Sequence, residues 1–194
     1  MAERRGRLIV IAGPSGVGKG SVVQELLARD PGGLALSISA TTRAPRTGEV
    51  DGRDYFFVTE ERFQDMIDAG ELLEWAEVFD HRYGTPKDYV ESQLAQGSDV
   101  LLEIDVVGAA EVRRVHPDAL LILLAPPSMA ELTRRLRGRG TETDDKIARR
   151  LAKAAWELDQ AGWFDHTVVN DDLSHASSQV AAIIEASRQR GSDV

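Results

Sequence analysis

Short apolar runs along this chain alternate with longer segments in which apolar residues recur at the spacing of an amphipathic helix. In the first such pair, the apolar run 8–12 precedes a segment where Val22, Val23, Leu26 and Leu27 share one helical face. Apolar runs that predict strands lie at residues 8–12, 34–39, 55–58, 100–105, 119–125 and 165–169. This alternation of strands and helices predicts an α/β fold.

The pattern is less regular after the third predicted strand. Residues 72–79 mix apolar side chains with carboxylates, and residues 80–84 predict a turn. Thr85 followed by Pro86 is typical of a helix start, because proline fits the first helical position and threonine caps free backbone N–H groups. On this interpretation Thr85 is an N-cap.

A glycine-rich loop separates the first predicted strand from the first predicted helix. Residues 13–19 have the pattern G-x-x-x-x-G-K. Backbone N–H groups in such a loop converge on an anion, while the helix N-terminus and Lys19 add positive charge. We therefore predict a nucleotide phosphate site, with a simple strand-to-helix turn as the alternative. One position departs from the pattern, because Gly20 stands where Ser or Thr would offer a hydroxyl to magnesium, and Ser21 follows one place late.

The composition narrows the class of protein. A chain of 194 residues is long enough for one domain with a full core. The net charge of −9 argues against a broad nucleic-acid-binding surface, which needs a positive field. The absence of cysteine excludes disulfides and thiolate metal sites. The sequence shows neither a signal peptide nor a transmembrane length of apolar residues, so we expect a cytoplasmic protein without membrane partners.

Two arginines after the second predicted strand form a second candidate anion site. Pro45 excludes a helix there and favours extended backbone at Ala44. In a polyproline II segment, with three residues per turn, Arg43 and Arg46 point to the same side. Paired guanidinium groups suit a phosphate because of their planar donor forks. A solvated pair of surface arginines is the alternative.

The apolar run 100–105 carries two carboxylates near its C-terminal end. Glu103 and Asp105 are two residues apart and so share one face of the predicted strand. Ligands of open α/β sheets bind at this end of the strands. In a P-loop protein, an Asp that closes an apolar strand holds the metal ion that bridges the phosphates. The alternative for Asp105 is a cap of the next helix.

Arginines are concentrated in one later segment. Ser128 and Glu131 have the spacing of a capping box and predict the start of a helix. The arginines that follow are Arg134, Arg135, Arg137, Arg139, Arg149 and Arg150. An arginine-rich segment broken by glycines between two helices is typical of a lid that closes over phosphates, with a solvated helix face as the alternative.

Several motifs together carry a family resemblance. In order they are G-P-S-G-V-G-K, S-I-S-A-T-T-R-A-P-R-T-G-E, D-Y-F-F, L-L-E-W-A-E, R-Y-G-T, L-L-E-I-D, A-P-P-S and G-R-G-T-E-T. From about residue 8 to residue 172, the chain resembles guanylate kinase. The resemblance implies a P-loop kinase with a parallel core sheet flanked by helices. It also implies one kinase domain, 1–194, with a core of residues 1–36, 92–129 and 156–194, a GMP-binding part at 37–91 and a helical lid at 130–155.

The same resemblance implies roles for individual residues. Positions that hold the GMP phosphate are Arg43, Arg46, Tyr55 and Tyr83. Positions that contact guanine are Ser39, Glu74, Thr85 and Glu103. Positions around ATP are Gly13, Pro14, Ser15, Gly16, Val17, Gly18, Lys19, Gly20, Ser21 and Asn170. Catalytic positions are Lys19, Arg43, Arg135, Arg139 and Arg150, and Asp105 orients Mg²⁺, through water.

The guanine assignment agrees with the chemistry of the base. Guanine presents N1–H and N2–H₂ donors on one edge and O6 as an acceptor. The carboxylates of Glu74 and Glu103 complement the donors, and the hydroxyls of Ser39 and Thr85 complement the acceptor. Adenine inverts this edge, and unpaired polar groups of that kind discriminate by roughly 10⁴ or more in favourable cases.

The implied reaction is in-line transfer of the γ-phosphoryl group of ATP to GMP or dGMP, with Mg²⁺. Two other functions remain open at this point. Guanylate-kinase-like scaffold domains bind phosphorylated peptides with the same arginines, but they tend to lose the loop lysine that Lys19 represents here. A related kinase of a sugar bisphosphate precursor would not need acceptors for guanine at Glu74 and Glu103. The sequence does not predict an oligomeric state.

Overall fold

The computed structural model of the chain describes residues 5–30, 33–138 and 143–190. The strands are β1 (Leu8–Ala12), β2 (Leu34–Leu36), β3 (Ala40–Thr41), β4 (Phe56–Phe57), β5 (Leu72–Val78), β6 (His81–Pro86), β7 (Asp99–Glu103), β8 (Leu120–Ala125) and β9 (His166–Val169). The helices are α1 (Lys19–Arg29), α2 (Glu60–Asp68), α3 (Lys87–Ala95), α4 (Val106–Val115), α5 (Met129–Arg137), α6 (Asp144–Asp159), a 3-10 turn at Gln160–Trp163 and α7 (Leu173–Arg190). Within the described ranges, none of these helices is long and apolar enough to cross a membrane.

A five-stranded sheet has the order β2-β7-β1-β8-β9. The pairs β2–β7, β1–β8 and β8–β9 are parallel. All five residues of β1 are buried, as are the first five residues of β8, which is typical of strands covered on both faces. The predicted α/β fold with a parallel sheet and flanking helices is therefore confirmed.

A second sheet has four strands in the order β4-β3-β6-β5. Strand β6 pairs antiparallel with both β3 and β5, whereas β3 and β4 are parallel. Helix α2 packs on this sheet, and Phe63 and Met66 of α2 form a cluster with Ala40. Each turn of α2 thus contributes an apolar side chain to the core of this sheet.

Two local predictions were wrong. Residues 80–84 predicted a turn, but most of them belong to β6, and the reversal is confined to Phe79 and Asp80. The sequence of β6 is largely polar and so does not show the apolar pattern of a strand. Main-chain pairing with β3 and β5, rather than burial of apolar side chains, stabilises β6 in the sheet. The run 34–39 predicted one strand, but it contains β2 of the first sheet and ends just before β3 of the second.

By residue contacts, the chain divides into two compact units, and we describe each by itself. The first unit comprises residues up to Leu8, Gly33–Leu102 and Val107–Ala119, and the second comprises Ile9–Gly32, Glu103–Val106 and Leu120–Val194. The boundaries of the GMP-binding part, 37–91, and of the lid, 130–155, stay a prediction.

Helix α5 begins where the capping-box pattern predicts. The Ser128 hydroxyl accepts a hydrogen bond of 3.1 Å from the backbone N–H of Glu131. The carboxylate of Glu131 accepts hydrogen bonds from Arg134 and Arg135, which lower the pKa of Glu131 to about 2. Leu132 of α5 is buried against apolar residues of α6. The cap, the ion pairs and the apolar face thus fix both the start and the orientation of α5.

Replacing Ser128 by Ala removes the acceptor at this cap, and we expect the free energy of unfolding to fall by about 1 kcal/mol. Ser128→Asp keeps an acceptor and places a negative charge at the helix N-terminus, so its stability should stay near that of the unmodified chain. Denaturant unfolding followed by circular dichroism measures both variants. Equal losses in Ser128→Ala and Ser128→Asp would contradict a stabilising role of the cap.

Candidate functional site

The loop between β1 and α1 requires its glycines. Gly13, Gly16 and Gly18 have φ angles of 144°, 88° and 101°, values that side chains strongly disfavour. A Cβ atom at Gly13 would also collide with the carbonyl oxygen of Leu124. The N-cap residue of α1 is Gly18, which has no side chain and therefore cannot cap the first backbone N–H groups of the helix. This geometry is that of an anion-binding helix start.

Lys19 folds back over the loop. Its ammonium group donates hydrogen bonds of 2.7 Å to the carbonyl oxygen of Gly13 and 3.3 Å to that of Pro14. The charge therefore lies beside the loop backbone, where the sequence predicts that phosphate oxygens bind. Neutral carbonyl oxygens hold it there.

The other side of the loop is fixed by Asn170 and Arg135. The buried Asn170 follows β9, and its side-chain amide donates to the carbonyl oxygen of Val17 at 2.8 Å. Arg135 of α5 donates to the same carbonyl oxygen at 3.1 Å and to the backbone oxygen of Asn170 at 2.9 Å. The structure thus brings two predicted site residues, from different elements, onto one loop residue.

Helix α6 supplies two further cations. Arg150 donates a hydrogen bond of 2.6 Å to the Ser15 hydroxyl in the loop. Lys153, one turn later, donates to a carboxylate oxygen of Asp105 at 2.9 Å. Arg150 and Asp105 were predicted from the sequence, but Lys153 was not, because its partner is distant in sequence. Arg139 lies outside the described residues.

Glu103 lies beside the start of α1. A Cβ atom at Gly20 would be 3.5 Å from the nearer carboxylate oxygen of Glu103, which is ordinary contact. Burial raises the pKa of Glu103, and the charge of Lys19 opposes this effect. Glu103 and the loop belong to the same unit. The missing side chain at residue 20 therefore leaves open the space next to this carboxylate.

In the first unit, Arg43 is buried among aromatic rings and oxygen acceptors. Its guanidinium carbon lies 5.3 Å from the ring centroid of Tyr55 and 5.8 Å from that of Phe57. The rings of Tyr55 and Tyr83 meet edge to face with centroids 6.1 Å apart. Burial works against the charge of Arg43, but hydrogen bonds that its guanidinium donates to Glu49 and Tyr83 raise the pKa of Arg43 above its ordinary value. Arg43, Tyr55 and Tyr83, which were predicted to act together, are thus brought together.

Glu49 is a member of this cluster that sequence reasoning missed. Its carboxylate accepts a hydrogen bond of 2.9 Å from the Arg43 guanidinium and one of 2.7 Å from the backbone N–H of Arg46. Burial alone would raise the pKa of Glu49, but these hydrogen bonds lower it. The side chain of Arg46 is exposed. The sequence R-T-G-E, with an acid three residues after Arg46, was the available signal for Glu49. The four residues form a turn in which the Glu49 N–H donates to the Arg46 carbonyl oxygen.

Glu74 and Thr85 form a buried pair across β5 and β6. They are direct partners in the register, and the Thr85 hydroxyl donates to a Glu74 carboxylate oxygen at 2.5 Å. The exposed fraction is 6% for Glu74 and 0% for Thr85. The interpretation of Thr85 as an N-cap was wrong, since Pro86 precedes α3 and Thr85 is the penultimate residue of β6. Ser39, the remaining predicted guanine contact in this unit, is half-buried just before β3.

The protein oxygens at Asp105 fit a magnesium ion that is coordinated mostly by water and substrate phosphates. Among the residues that the structure describes, no three His, Cys, Asp or Glu side chains are grouped as they would be to hold a metal ion. Asp105 offers a carboxylate that Lys153 already contacts. Mg²⁺ in phosphate sites keeps several waters and takes one or two carboxylates together with substrate phosphates. Asp105 is sufficient for that kind of site.

Comparisons with known proteins agree on one family. The family model described as guanylate kinase matches residues 5–187. A guanylate kinase of Synechocystis sp. is 53% identical over 93% of this chain and 94% of its own length. A guanylate kinase of Nocardia farcinica is 52% identical over 96% of this chain and 97% of its own length.

A solved structure agrees with them. The crystal structure of guanylate kinase from Anaplasma phagocytophilum superposes with a TM-score of 0.77 and 32% identity, covering 94% of this chain and 86% of the other. The predicted P-loop kinase fold is therefore confirmed. Because the family model and the relatives span nearly the whole chain, this protein belongs to the guanylate kinase family.

Proposed function

We propose that this enzyme transfers the γ-phosphoryl group of ATP to GMP, giving ADP and GDP. The glycine loop supports binding of a phosphorylated donor, and membership of the guanylate kinase family supports GMP as the acceptor. The observation that carries the choice of guanine is the buried Glu74–Thr85 pair. A carboxylate held inside a sheet complements the N1–H and N2–H₂ groups of guanine, and it faces no donor of that kind on adenine.

On the donor side, the loop N–H groups and Lys19 hold the ATP phosphates. Arg135 and Arg150 act on the same phosphates, since the former contacts Val17 and the latter contacts Ser15 in the loop. When phosphates bind, these cations exchange loop oxygens for phosphate oxygens. Asn170, fixed on the loop backbone, lies near the adenine in this assignment.

On the acceptor side, Arg43, Arg46, Tyr55 and Tyr83 hold the GMP phosphate. Arg43 already has its guanidinium oriented by Glu49 and the aromatic rings. Guanine contacts Ser39, Glu74 and Thr85, and Glu103 supplies a further acceptor. The Thr85 hydroxyl donates its only hydrogen to Glu74 and so orients that carboxylate. Thr85 can then only accept a hydrogen bond from guanine, and Ser39 is the hydroxyl donor for O6.

The chemical step needs no general base. The GMP phosphate has a second pKa of about 6, so at neutral pH it is mostly a dianion and its oxygen is already a nucleophile. Catalysis then consists of alignment of donor and acceptor and neutralisation of charge by Lys19, Arg43, Arg135 and Arg150. Arg139 has the same role in this proposal.

Mg²⁺ accompanies ATP. Asp105 would hold it, through water, beside the nucleotide phosphates. When bound, the ion neutralises charge on the phosphate oxygens. We propose dGMP as a second acceptor, because none of the proposed contacts to base or phosphate uses the ribose 2′-hydroxyl. We also propose that the enzyme acts in the cytoplasm, where ATP and GMP are available.

An assay of ADP release tests this proposal directly. With ATP and Mg²⁺, we expect turnover with GMP and with dGMP, and a kcat/KM at least about 10³-fold lower with AMP because the acceptors of the base site stay unpaired. UMP should behave like AMP. Absence of turnover with GMP would contradict the proposal, and binding of a phosphopeptide without any turnover would favour a binding module instead.

Glu74→Gln tests the base contact. The amide keeps an oxygen for Thr85 but presents N–H₂ to the donors of guanine, so kcat/KM for GMP should fall by about 100-fold or more while KM for ATP changes less than threefold. Glu77→Gln is a matched control, because Glu77 lies on the same strand and is exposed. Steady-state kinetics with each substrate varied separate the two effects. Equal losses toward ATP and GMP would show that Glu74 is structural.

Gly20→Ser tests the departure from the loop pattern. The new Cβ atom would be in ordinary contact with Glu103, so the variant should fold. The added hydroxyl lies within reach of the Glu103 carboxylate and donates to it, and we therefore expect the Mg²⁺ concentration for half-maximal rate to change less than about threefold. A tenfold lower Mg²⁺ requirement would show that the missing hydroxyl limits metal binding in this chain.

A further inference from the structure

A buried carboxylate on α6 has no role in the proposed mechanism. The exposed fraction of Glu157 is 3%, and carboxylates are almost never buried to this degree without a partner. Its nearer oxygen lies 3.8 Å from the ammonium nitrogen of Lys153, four residues earlier on the same helix. Burial raises the pKa of Glu157, and the charge of Lys153 opposes this effect.

The same ammonium group holds Asp105. Lys153 Nζ is 2.9 Å from Asp105 Oδ2, and the side chains of both residues are largely buried. Lys153 is thus the cation that Asp105 and Glu157 share. An ammonium group attracted by two carboxylates is restrained by each of them, so its position at Asp105 depends on Glu157 as well.

The backbone beneath this cluster is well anchored. Ile147 and Ala154 of α6 are buried against Leu132 and Leu136 of α5. Arg150, one turn before Lys153, contacts the phosphate loop at Ser15. Successive turns of one packed helix therefore present one cation to the loop and the next to Asp105.

We propose that Lys153, anchored by Glu157, is a positioning residue that orients the carboxylate of Asp105 toward the nucleotide phosphates. This inference rests on the proposed function, in which Asp105 holds the ion that accompanies ATP. Groups that orient a metal-binding carboxylate contribute about 10–100-fold to metal affinity or activity. Lys153 and Glu157 touch neither substrate in this proposal, and they act through Asp105.

Lys153→Met removes the shared cation while keeping much of the side-chain length. We expect kcat to fall by about 10–100-fold, with KM for GMP within about twofold of the unmodified chain. Calorimetry of ADP binding with and without Mg²⁺ gives a readout apart from activity, and the factor by which Mg²⁺ strengthens ADP binding should fall by about tenfold. Lys153→Arg, which keeps a donor for both carboxylates, should restore most of kcat.

The double variant Lys153→Met/Glu157→Gln tests whether Glu157 acts through Lys153. Glu157→Gln alone should lower kcat severalfold, but in the double variant it should add no further loss to that of Lys153→Met. Lys146→Met is the matched control, because Lys146 is an exposed lysine in the first turn of α6, and its kcat should be unchanged. Thermal unfolding confirms that each variant is folded, and Lys153→Arg with Glu157→Gln carry the test if Lys153→Met does not fold.

Two results would overturn this inference. One is a Lys153→Met variant with an unchanged kcat and an unchanged Mg²⁺ effect on ADP binding. The other is a double variant in which the two losses multiply, since that would make Glu157 an independent structural residue. Failure of the unmodified chain to phosphorylate GMP would instead reject the proposed function, so the two failures are distinguishable.

Discussion

The arrangement of both candidate sites depends on how cations are held in place by the protein's own oxygen atoms. Lys19 contacts two loop carbonyls, Arg150 contacts the Ser15 hydroxyl, and Arg43 contacts Glu49. Clustered positive charges repel one another, and each one removed from water needs an acceptor. Under the proposed function, phosphates that enter these sites replace existing hydrogen bonds, and the net gain is the difference between phosphate and protein oxygens as partners.

The acceptors that meet this requirement are neutral oxygens in some places and carboxylates in others. At the loop, Lys19 and Arg150 contact carbonyl and hydroxyl oxygens, whereas Arg135 also pairs with the carboxylate of Glu131. The neutral oxygens are weaker partners than a phosphate dianion. In the other unit a carboxylate holds Arg43, and only a ligand of comparable charge competes well with it. A ligand without a doubly charged phosphate would gain little by displacing Glu49. Under the proposed function, this contact makes the acceptor site selective for a phosphomonoester.

Local patterns in the sequence predicted those features that local chemistry determines. Gly13 and Gly18 were predictable because their φ angles and the backbone contact at Gly13 exclude side chains, and Ser128 because a helix start needs an acceptor. Contacts that tertiary structure creates were missed. The local pattern R-T-G-E indicates the turn at Glu49 but not its contact with Arg43, and Lys153 has no local signature, since the rings around Arg43 and the position of Asp105 become apparent only once the strands are assembled.

The proposed contact with the base depends on an irregularity in β5 that no residue pattern predicts. Leu72 pairs with Pro86 and Glu74 pairs with Thr85, so Leu73 is an extra residue of β5 that has no counterpart on β6. The register shifts between Leu72 and Glu74, so a β-bulge accommodates the extra residue. Gly84 permits the close approach at this point, since a Cβ atom there would lie 3.1 Å from the backbone oxygen of Glu74.

This bulge has a direct consequence for specificity. Without the extra residue, and with Leu72 still opposite Pro86, Leu73 would pair with Thr85, and the Glu74 carboxylate would lie opposite Gly84 on the other face. The same residues at the same positions would then make a stable sheet without an acceptor in the site. The position of the carboxylate proposed to select guanine therefore depends on the backbone geometry of β5 as well as on the presence of a glutamate.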